Sequence, residues 1–335
     1  MRHIRHGLLK RGCLKQGLLA LIAALAIVLP AAPTRAQDAF PTRPVKIVVP
    51  FPPGSGTDIL ARLLATNLAR QWGGAVLVEN IAGASGNVGA AEVARAAPDG
   101  TTLLLCPPGP ITTNRFLFKD MGYDPSRWVV ISWLASVPYV LAARKDLADS
   151  FADLLTLARK SPDKLSYAMP GAGGTAQLSA RQLEMLAGIK LLEVPYRGLG
   201  PAMNDVIGGH VDMMFDTITT SLPLHRAGRI KILAVASPQR AQALPEVPTV
   251  AESGYPGYRS ITWFGLVAPP GTPIALAERL NRDVAGIIQS RDVAGRLRDI
   301  QMEPVGSTRA EAARFFADEA ALWGGIIKDA NITLE

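Results

Sequence analysis

Two glycine-rich loops in this chain each follow an apolar strand pattern and open a helix pattern. The first covers residues 50–58 (Pro-Phe-Pro-Pro-Gly-Ser-Gly-Thr-Asp), and the second covers residues 170–175 (Pro-Gly-Ala-Gly-Gly-Thr). Backbone N–H groups at the start of a helix lack helical partners and lie at the positive end of the helix dipole, so they suit phosphate or carboxylate. Two such loops, far apart in sequence, predict an anion that is held from two sides.

The first loop combines flexible backbone with hydroxyl groups that could cap a helix. Gly54 and Gly56 permit positive φ angles, and Ser55 or Thr57 can cap the helix that follows. Asp58 lies in the first helical turn, where it would repel an anion in direct contact, so we expect it to orient the loop. No Gly-Lys-Ser/Thr follows this loop, and this absence excludes a P-loop.

A third loop, residues 81–89, follows the second predicted strand. Its glycines at every third position permit close approach of the backbone to a ligand or to a neighbouring helix, and Ser85 and Asn87 add polar donors. In an open parallel sheet, ligands bind at the carboxyl ends of the strands, where the first and third loops would be adjacent. From the residues alone, ordinary βα turns with tight helix packing explain both loops equally well.

Two later strand patterns end in side chains that could face a cleft. Tyr196 and Arg197 follow one of them, and Asp216 ends the next. A surface position for Arg197 and a turn role for Asp216 are the alternatives. Residues 171–176 also match the dinucleotide fingerprint G-x-G-x-x-A, with Glu193 about twenty residues further on.

The sequence offers little for catalysis. His210 and His225 stand apart from any patterned nucleophile, G-x-S-x-G is absent, and no His/Cys/Asp cluster has metal-ligand spacing. We therefore predict no enzyme activity, no metal and no cofactor.

Residues 1–36 have the organisation of a secretory signal peptide. A basic start precedes an apolar run over residues 17–29, and small residues up to Ala36 offer a cleavage site. The apolar run is shorter than the about 20 residues that cross a bilayer. The sequence therefore predicts export to the periplasm with cleavage near Ala36, by either the general secretory or the twin-arginine route. Export argues against the dinucleotide interpretation of residues 171–176.

Cleavage would also change the charge of the protein. The formal net charge of +7 falls to +1, because residues 1–36 hold six of the 35 basic residues and no acidic one, which leaves 29 basic against 28 acidic residues. A nearly neutral surface predicts no nucleic-acid partner and no polybasic membrane contact. Cys106 would be the one remaining cysteine, which excludes an intramolecular disulfide and is typical of a small buried hydrophobic residue.

Strand and helix patterns alternate through the rest of the chain, which predicts an α/β fold. A first βαβαβ run ends near Cys106, and a second run covers residues 137–236. The helical C-terminal part needs a sheet to cover, so we expect it to return to the first run. This organisation predicts two lobes joined by two strand crossovers, near residues 132–142 and 230–240. Lobe 1 would comprise residues 37–137 and 238–335, and lobe 2 residues 138–237.

Taken in order, several blocks of the chain resemble the Bug family of solute-binding receptors, which serve tripartite tricarboxylate transporters. These blocks cover residues 50–58, 79–89, 97–103, 194–198, 209–216, 244–249 and 263–265. The chain departs from the family pattern at Ser55, where glycine is usual, at Gln177, where histidine is usual, and at Arg181, where glutamate is common. Arg127 and Trp128 likewise stand where the family usually has Asp-Phe.

The resemblance implies a two-lobed periplasmic binding fold of type II, a Venus flytrap, whose two crossovers form the hinge. In this family the first loop and the loop at residues 171–175 hold a ligand carboxylate from opposite lobes, through backbone amides and bridging waters, and a residue similar to Asp216 can meet the far end of the ligand. The candidate ligand-binding residues are Phe51, Ser55, Gly56, Thr57, Asp58, Ala84, Ser85, Gly86, Gly171, Ala172, Gly173, Gly174, Thr175, Gln177, Tyr196 and Asp216.

The function implied by the resemblance is that of a monomeric extracytoplasmic receptor. It would capture a small organic carboxylate and deliver it to the membrane permease subunits of a tripartite tricarboxylate transporter. Dicarboxylates, tricarboxylates, amino acids and aromatic acids such as nicotinate all suit the scaffold. A receptor that feeds a sensor or signalling partner and a secreted hydrolase are the alternatives.

Overall fold

The computed structural model describes residues 40–334, so the predicted signal peptide and its cleavage site lie outside the described residues. The strands are β1 (Val45–Val49), β2 (Val76–Asn80), β3 (Thr102–Cys106), β4 (Val129–Arg144), β5 (Ser166–Met169), β6 (Leu192–Pro195), β7 (Met213–Thr217), β8 (Ile230–Val235), β9 (Ile261–Ala268) and β10 (Glu303–Pro304). The α-helices are α1 (Gly56–Trp72), α2 (Asn87–Ala94), α3 (Asn114–Leu117), α4 (Phe151–Lys160), α5 (Thr175–Ala187), α6 (Leu199–Gly208), α7 (Ile218–Arg226), α8 (Ile274–Gln289), α9 (Arg291–Asp299) and α10 (Arg309–Asp329).

The strands of the described residues join into one ten-stranded sheet. Its order is β2-β1-β3-β9-β4-β7-β5-β6, and β8 and β10 also pair with β4. β1 pairs in parallel with β2 and β3, while β9 runs antiparallel to β3 and β4. Four of the five β1 residues are buried, as expected for a parallel strand that is covered on both faces. The predicted α/β fold is confirmed.

β4 connects two halves of the sheet. Residues 129–138 of β4 pair with β9, whereas residues 139–144 pair with β7 on one edge and β8 on the other. We call β1, β2, β3, β9, β10 and residues 129–138 of β4 the first half, and β5 to β8 with residues 139–144 the second half. The crossover predicted near residues 132–142 lies inside β4.

The chain returns to the first half after β8. Ala236 donates its N–H to the carbonyl of Tyr139 at 2.8 Å and accepts from the N–H of Ser260 at 2.7 Å, just before β9. Between these points, Val250, Tyr255 and Tyr258 pack against the core of the second half. The lobe boundaries stay a prediction, and these contacts favour moving the second boundary from residue 237 to about residue 260.

A buried ion pair and an aromatic stack fix the C-terminal helix α10 on β9. Trp263 of β9 stacks on Phe316 with ring centroids 4.6 Å apart, and its indole N–H donates to Glu319 Oε2 at 2.8 Å. Arg259 lies 2.7 Å from the other carboxylate oxygen of Glu319. Burial raises the pKa of Glu319, while Arg259 and the indole N–H groups of Trp323 and Trp263 act to lower it. These contacts place the C-terminal helix α10 against the first half of the sheet.

None of the helices in residues 40–334 has the length and hydrophobicity that crossing a bilayer requires.

Cys106 is a free thiol with no exposed surface, and burial raises its pKa well above the usual value. Its position at the end of β3 is that of a small apolar residue.

Gly265 of β9 gives a direct test of this packing. A Cβ at Gly265 would lie 2.7 Å from Ile111 Cδ1 and 2.8 Å from Phe316 Cζ. We expect Gly265→Ala to lower the free energy of unfolding by about 1–3 kcal/mol, because the core would be overpacked. The matched control is Gly286→Ala on the exposed side of α8, where a Cβ meets nothing within 4 Å. It should raise stability by about 1 kcal/mol, since alanine favours a helix. Equal effects in urea denaturation would contradict this packing.

Candidate functional site

A cavity of about 330 Å³ lies where strands from both halves of the sheet end. We call it the strand-end cavity. Its lining residues are Phe51, Ser85, Pro107, Pro108, Gly109, Thr113, Asn114, Leu117, Tyr139, Gly171, Ala172, Gly173, Gly174, Thr175, Leu178, Thr262, Trp323 and Leu334. The chain reaches it after β1, β2, β3 and β5, so the carboxyl ends of these strands meet here, as ligand sites in α/β sheets do.

The loop after β5 presents an uncapped helix start to this cavity. Gly174 is the N-cap residue of α5, and no side chain caps its first turn. Thr175, the first residue of α5, lines the cavity. Because the first N–H groups of a helix have no helical partner, this turn offers donors and a positive dipole end to an anion. The loop therefore has the geometry of an anion site.

Gln177 holds this loop from the side of the helix. Its Oε1 accepts from the N–H of Gly173 at 2.7 Å, and its Nε2 donates to both carboxylate oxygens of Glu193, at 3.1 and 3.0 Å. Arg181 adds an ion pair to Glu193 at 2.9 Å. The Tyr167 hydroxyl also donates to Glu193, and burial, followed by Glu193 itself, raises the pKa of Tyr167. Gln177 is thus engaged within the protein and does not line the cavity.

Gly173 has a backbone that glycine adopts easily and other residues do not. Its φ is +70°, and a Cβ there would lie 2.7 Å from Leu117 Cδ1. Its N–H is used by Gln177, and the N–H of Gly174 donates to the carbonyl of Gly171 at 3.3 Å. Two of the loop amides are therefore used to hold the loop itself.

The first loop is closed by Asp58, and its residues 54–58 do not line the cavity. Asp58 accepts from the N–H of Gly54 at 2.9 Å, from Asn80 Nδ2 at 3.0 Å and from Arg62 Nε at 2.9 Å. Burial acts to raise the pKa of Asp58, but hydrogen bonds from these three groups lower it overall. The Ser55 hydroxyl caps α1 by accepting from the N–H of Asp58 at 3.3 Å. This is the geometry that an orienting role for Asp58 requires.

The third loop is held against the turn that follows β3. Ser85 has a φ of +53°, and its carbonyl accepts from Asn114 Nδ2 at 3.1 Å. The same amide nitrogen donates to Asn87 Oδ1 at 2.7 Å. Phe51 packs closely over Gly86, where a Cβ would lie 3.3 Å from the ring and 2.9 Å from Pro110 Cγ. Phe51 and Ser85 thereby form the first-half side of the cavity.

Asp216 is buried near the cavity but outside its lining. Its side chain accepts from the Ser221 hydroxyl at 2.8 Å and from the Thr220 hydroxyl, while Oδ1 has no partner within the described part of the chain. Burial raises the pKa of Asp216 despite these hydrogen bonds. Tyr196 is also outside the lining, and its hydroxyl donates to Asp205 at 2.7 Å. Burial and Asp205 raise the pKa of Tyr196 to about 12.

The structure therefore separates the predicted site residues into two groups. Those that line the cavity are Phe51, Ser85, Gly171, Ala172, Gly173, Gly174 and Thr175. Those that do not line it are Ser55, Gly56, Thr57, Asp58, Ala84, Gly86, Gln177, Tyr196 and Asp216. In the second group, the polar atoms of Asp58 and Gln177 have partners within the protein. These two residues hold the loops from outside the cavity.

Sequence reasoning missed the lining residues outside these loops. Pro107, Pro108 and Gly109 follow β3 directly, so the strand-end rule applied to that strand would have found them. Trp323 and Leu334 carry no such signal, since they reach the cavity only because α10 packs across the first half.

A larger cavity of about 670 Å³ lies on the other face of β4 and β9. Pro138 and Ile261 line it, while their neighbours Tyr139 and Thr262 line the strand-end cavity. Consecutive residues of a strand point to opposite faces, so the two cavities lie on opposite sides of β4 and β9. The larger cavity is away from the glycine-rich loops. In neither place do the described residues group three or more His, Cys, Asp or Glu side chains that could hold a metal.

Comparisons with known proteins identify relatives of this chain. Residues 60–332 match the family model described as the tripartite tricarboxylate transporter family receptor. The chain is 34% identical over 308 residues to the protein BugT of Bordetella pertussis, which covers 91% of this chain and 94% of BugT. It is also similar to two solved structures, and each match covers 100% of the solved chain. R. palustris Rpa4515 with adipate shares 38% identity over 88% of this chain, with a TM-score of 0.77. MatC from Rhodopseudomonas palustris with bound malate shares 33% identity over 86%, with a TM-score of 0.72.

Proposed function

The chain belongs to the tripartite tricarboxylate transporter receptor family, which includes the Bug proteins, and from that premise we propose that it binds a small carboxylate in the strand-end cavity. Periplasmic solute-binding receptors make up this family. We propose that this receptor, exported and cleaved near Ala36, acts as a monomer and delivers its ligand to the membrane permease subunits of a tripartite tricarboxylate transporter.

The uncapped first turn of α5 inside a cavity shared by both halves of the sheet is the observation that supports this proposal most. It offers an anion N–H donors and a dipole end without a fixed cation. Such a site suits the reversible binding of a carboxylate. The adipate in R. palustris Rpa4515 and the malate in MatC, both carboxylates, also support it.

The donors that remain free favour one position for the carboxylate within the cavity. Because the N–H groups of Gly173 and Gly174 are already used, we place the carboxylate over the first turn of α5, beside Thr175. The Thr175 side chain hydrogen-bonds the Tyr139 hydroxyl, and burial, followed by the charge of Asp216, raises the pKa of Tyr139. Tyr139 therefore keeps its proton, and its hydroxyl can donate a hydrogen bond to the ligand.

The other predicted site residues act through the loops in this proposal. Phe51 supplies an apolar wall and Ser85 a hydroxyl on the first-half side. Ser55, Gly56, Thr57 and Asp58 shape the first loop, and Ala84 and Gly86 shape the third. Gln177 fixes Gly173, while Tyr196 and Asp216 lie beyond the lining.

Ligand binding should be coupled to closure of the two halves. The lining comes from both halves, and β4 is the continuous strand between them. A ligand contacts both sides only when they are close together, so it stabilises the closed arrangement by its higher affinity for that state.

A thermal-shift screen of carboxylates against the mature protein tests the function itself. A ligand at a hundred times its Kd should stabilise the protein by about 2.7 kcal/mol, which raises the melting temperature. The amide of each active acid is the matched control and should give no shift. If no dicarboxylate, tricarboxylate, amino acid or aromatic acid raises the melting temperature, the proposed function is wrong.

Small-angle scattering tests closure. The radius of gyration should fall when the best acid from the screen saturates the protein, because the two halves approach each other. At the lowest concentration that saturates the parent, the Gly173→Val protein should show a smaller fall, because fewer of its molecules are occupied. An unchanged radius for the saturated parent protein would contradict the hinge.

Gly173→Val tests the loop after β5. Valine would need a left-handed backbone and would contact Leu117, so the first turn of α5 would be displaced and the affinity for the acid should fall about tenfold or more. Gly188→Val is the control, because Gly188 has a similar φ of +62° at the other end of α5, with nothing within 4 Å of a Cβ. Both variants should lose about 1–2 kcal/mol of stability from backbone strain, and the control should bind normally in calorimetry. Equal affinities of the two variants would refute the role of the loop.

A further inference from the structure

We infer that the ligand of the strand-end cavity carries one carboxylate and a compact apolar body, and that the body packs on a wall formed by Leu117, Leu178, Trp323 and Leu334. This inference rests on the proposed function and specifies the class of acid that the cavity takes.

The wall is built from three separate parts of the chain. Leu117 ends α3, Leu178 lies one turn into α5, and Trp323 belongs to α10. All three are almost fully buried and share one hydrophobic cluster, against which Leu334 packs. The N–H of Leu334 donates to the carbonyl of Leu117 at 2.7 Å, which fixes the segment after α10 at the cavity. An apolar surface is thus contributed by both halves of the sheet.

This wall directly adjoins the loop that would hold the carboxylate. A Cβ at Gly173 would lie 2.7 Å from Leu117 Cδ1 and 3.0 Å from Leu334 Cδ1. A ligand whose carboxylate sits at the first turn of α5 would therefore have its remaining atoms next to these side chains. The apolar body would replace water there, which is favourable in proportion to the apolar area that is buried.

Two side-chain donors that line the cavity beside this wall, those of Trp323 and Asn114, already have partners. The Trp323 indole N–H donates to Glu319 Oε2 at 3.0 Å, and Asn114 Nδ2 donates to Ser85 and Asn87. The hydroxyls of Tyr139 and Thr175 belong to the carboxylate end. A polar group at the far end of the ligand would have few donors to meet.

Charge excludes a second ionic group on the ligand. Among the residues that the structure describes, no Lys, Arg, His, Asp or Glu side chain lines the strand-end cavity. An ionised group without a partner is costly to move out of water. Asp216 is the carboxyl that could pair with an ammonium group, and its Oδ1 has no partner among the described residues, but it is outside the lining. The cavity therefore selects acids whose far end is neutral and apolar.

Calorimetry with two series of three acids, matched in length within each series, tests the inference. Hexanoate, adipate and 6-aminohexanoate differ only in a neutral, anionic or cationic far end, and 4-methylbenzoate, terephthalate and 4-(aminomethyl)benzoate repeat the series on a rigid ring. In each series that binds, the acid with the neutral end should bind at least about tenfold more tightly than the other two. Hexanamide and 4-methylbenzamide should not bind.

The outcomes separate the two proposals. If adipate, terephthalate or either amino acid binds as tightly as its neutral partner or more tightly, the inference is overturned and the proposed function stands. If none of the acids binds in calorimetry and none of the wider carboxylate panel raises the melting temperature, both proposals are wrong. If only acids outside these two series raise the melting temperature, the function stands and the compact apolar body is refuted.

Leu334→Arg tests the wall itself. The half-buried Leu334 would be replaced by a cation at the apolar end, so hexanoate should bind at least about tenfold more weakly and the preference should shift towards adipate. Thr333→Arg is the matched control, because Thr333 is exposed and does not line the cavity. It adds the same charge one residue away and should keep the parent preference. Melting curves show whether both variants are folded. A folded Leu334→Arg protein with the parent order of affinities would overturn the inference.

Discussion

The continuity of β4 is the constraint on which the rest of the structure depends. One sixteen-residue strand pairs with β9 along its first part and with β7 and β8 along its second part, so its hydrogen bonds fix both halves of the sheet. The strand also places Tyr139 in the strand-end cavity and Pro138 on the opposite face. Because both halves are built on one strand, the closure that we propose would act through a change in the twist of β4.

The site is organised to offer an anion neutral donors, while charges are used outside the cavity. Glu193 and Arg181 form an ion pair that acts through Gln177 on the N–H of Gly173. Asp58 similarly holds the first loop through Gly54 and Asn80. Ion pairs placed this way position the loops without contacting the ligand. A carboxylate held by N–H groups and hydroxyls can also leave without breaking an ion pair, which suits a receptor that must release its ligand.

The residues at which this chain departs from the family pattern belong to the same network. Gln177 stands where histidine is usual and Arg181 where glutamate is common, and both contact Glu193. An amide has no proton to gain near neutral pH, so the link from Gln177 to Gly173 does not titrate as a histidine would. Glutamine in place of histidine at position 177 therefore changes how the loop is held more than it changes the groups that the loop presents to the ligand.

The sequence by itself determined the α/β fold, the glycine-rich loops at the strand ends and the crossover near residues 132–142, because these follow from local hydrophobic periodicity and from the backbone freedom of glycine. It also identified Phe51, Ser85 and the loop at residues 171–175 as lining residues. Only the tertiary structure decided which polar groups are free. Ser55, Asp58 and Gln177 have the right chemistry for a ligand, yet their partners come from within the loops or from distant strands, as Asn80 and Glu193 show. Trp323 and Leu334 reach the cavity through long-range packing of α10, which no local pattern encodes.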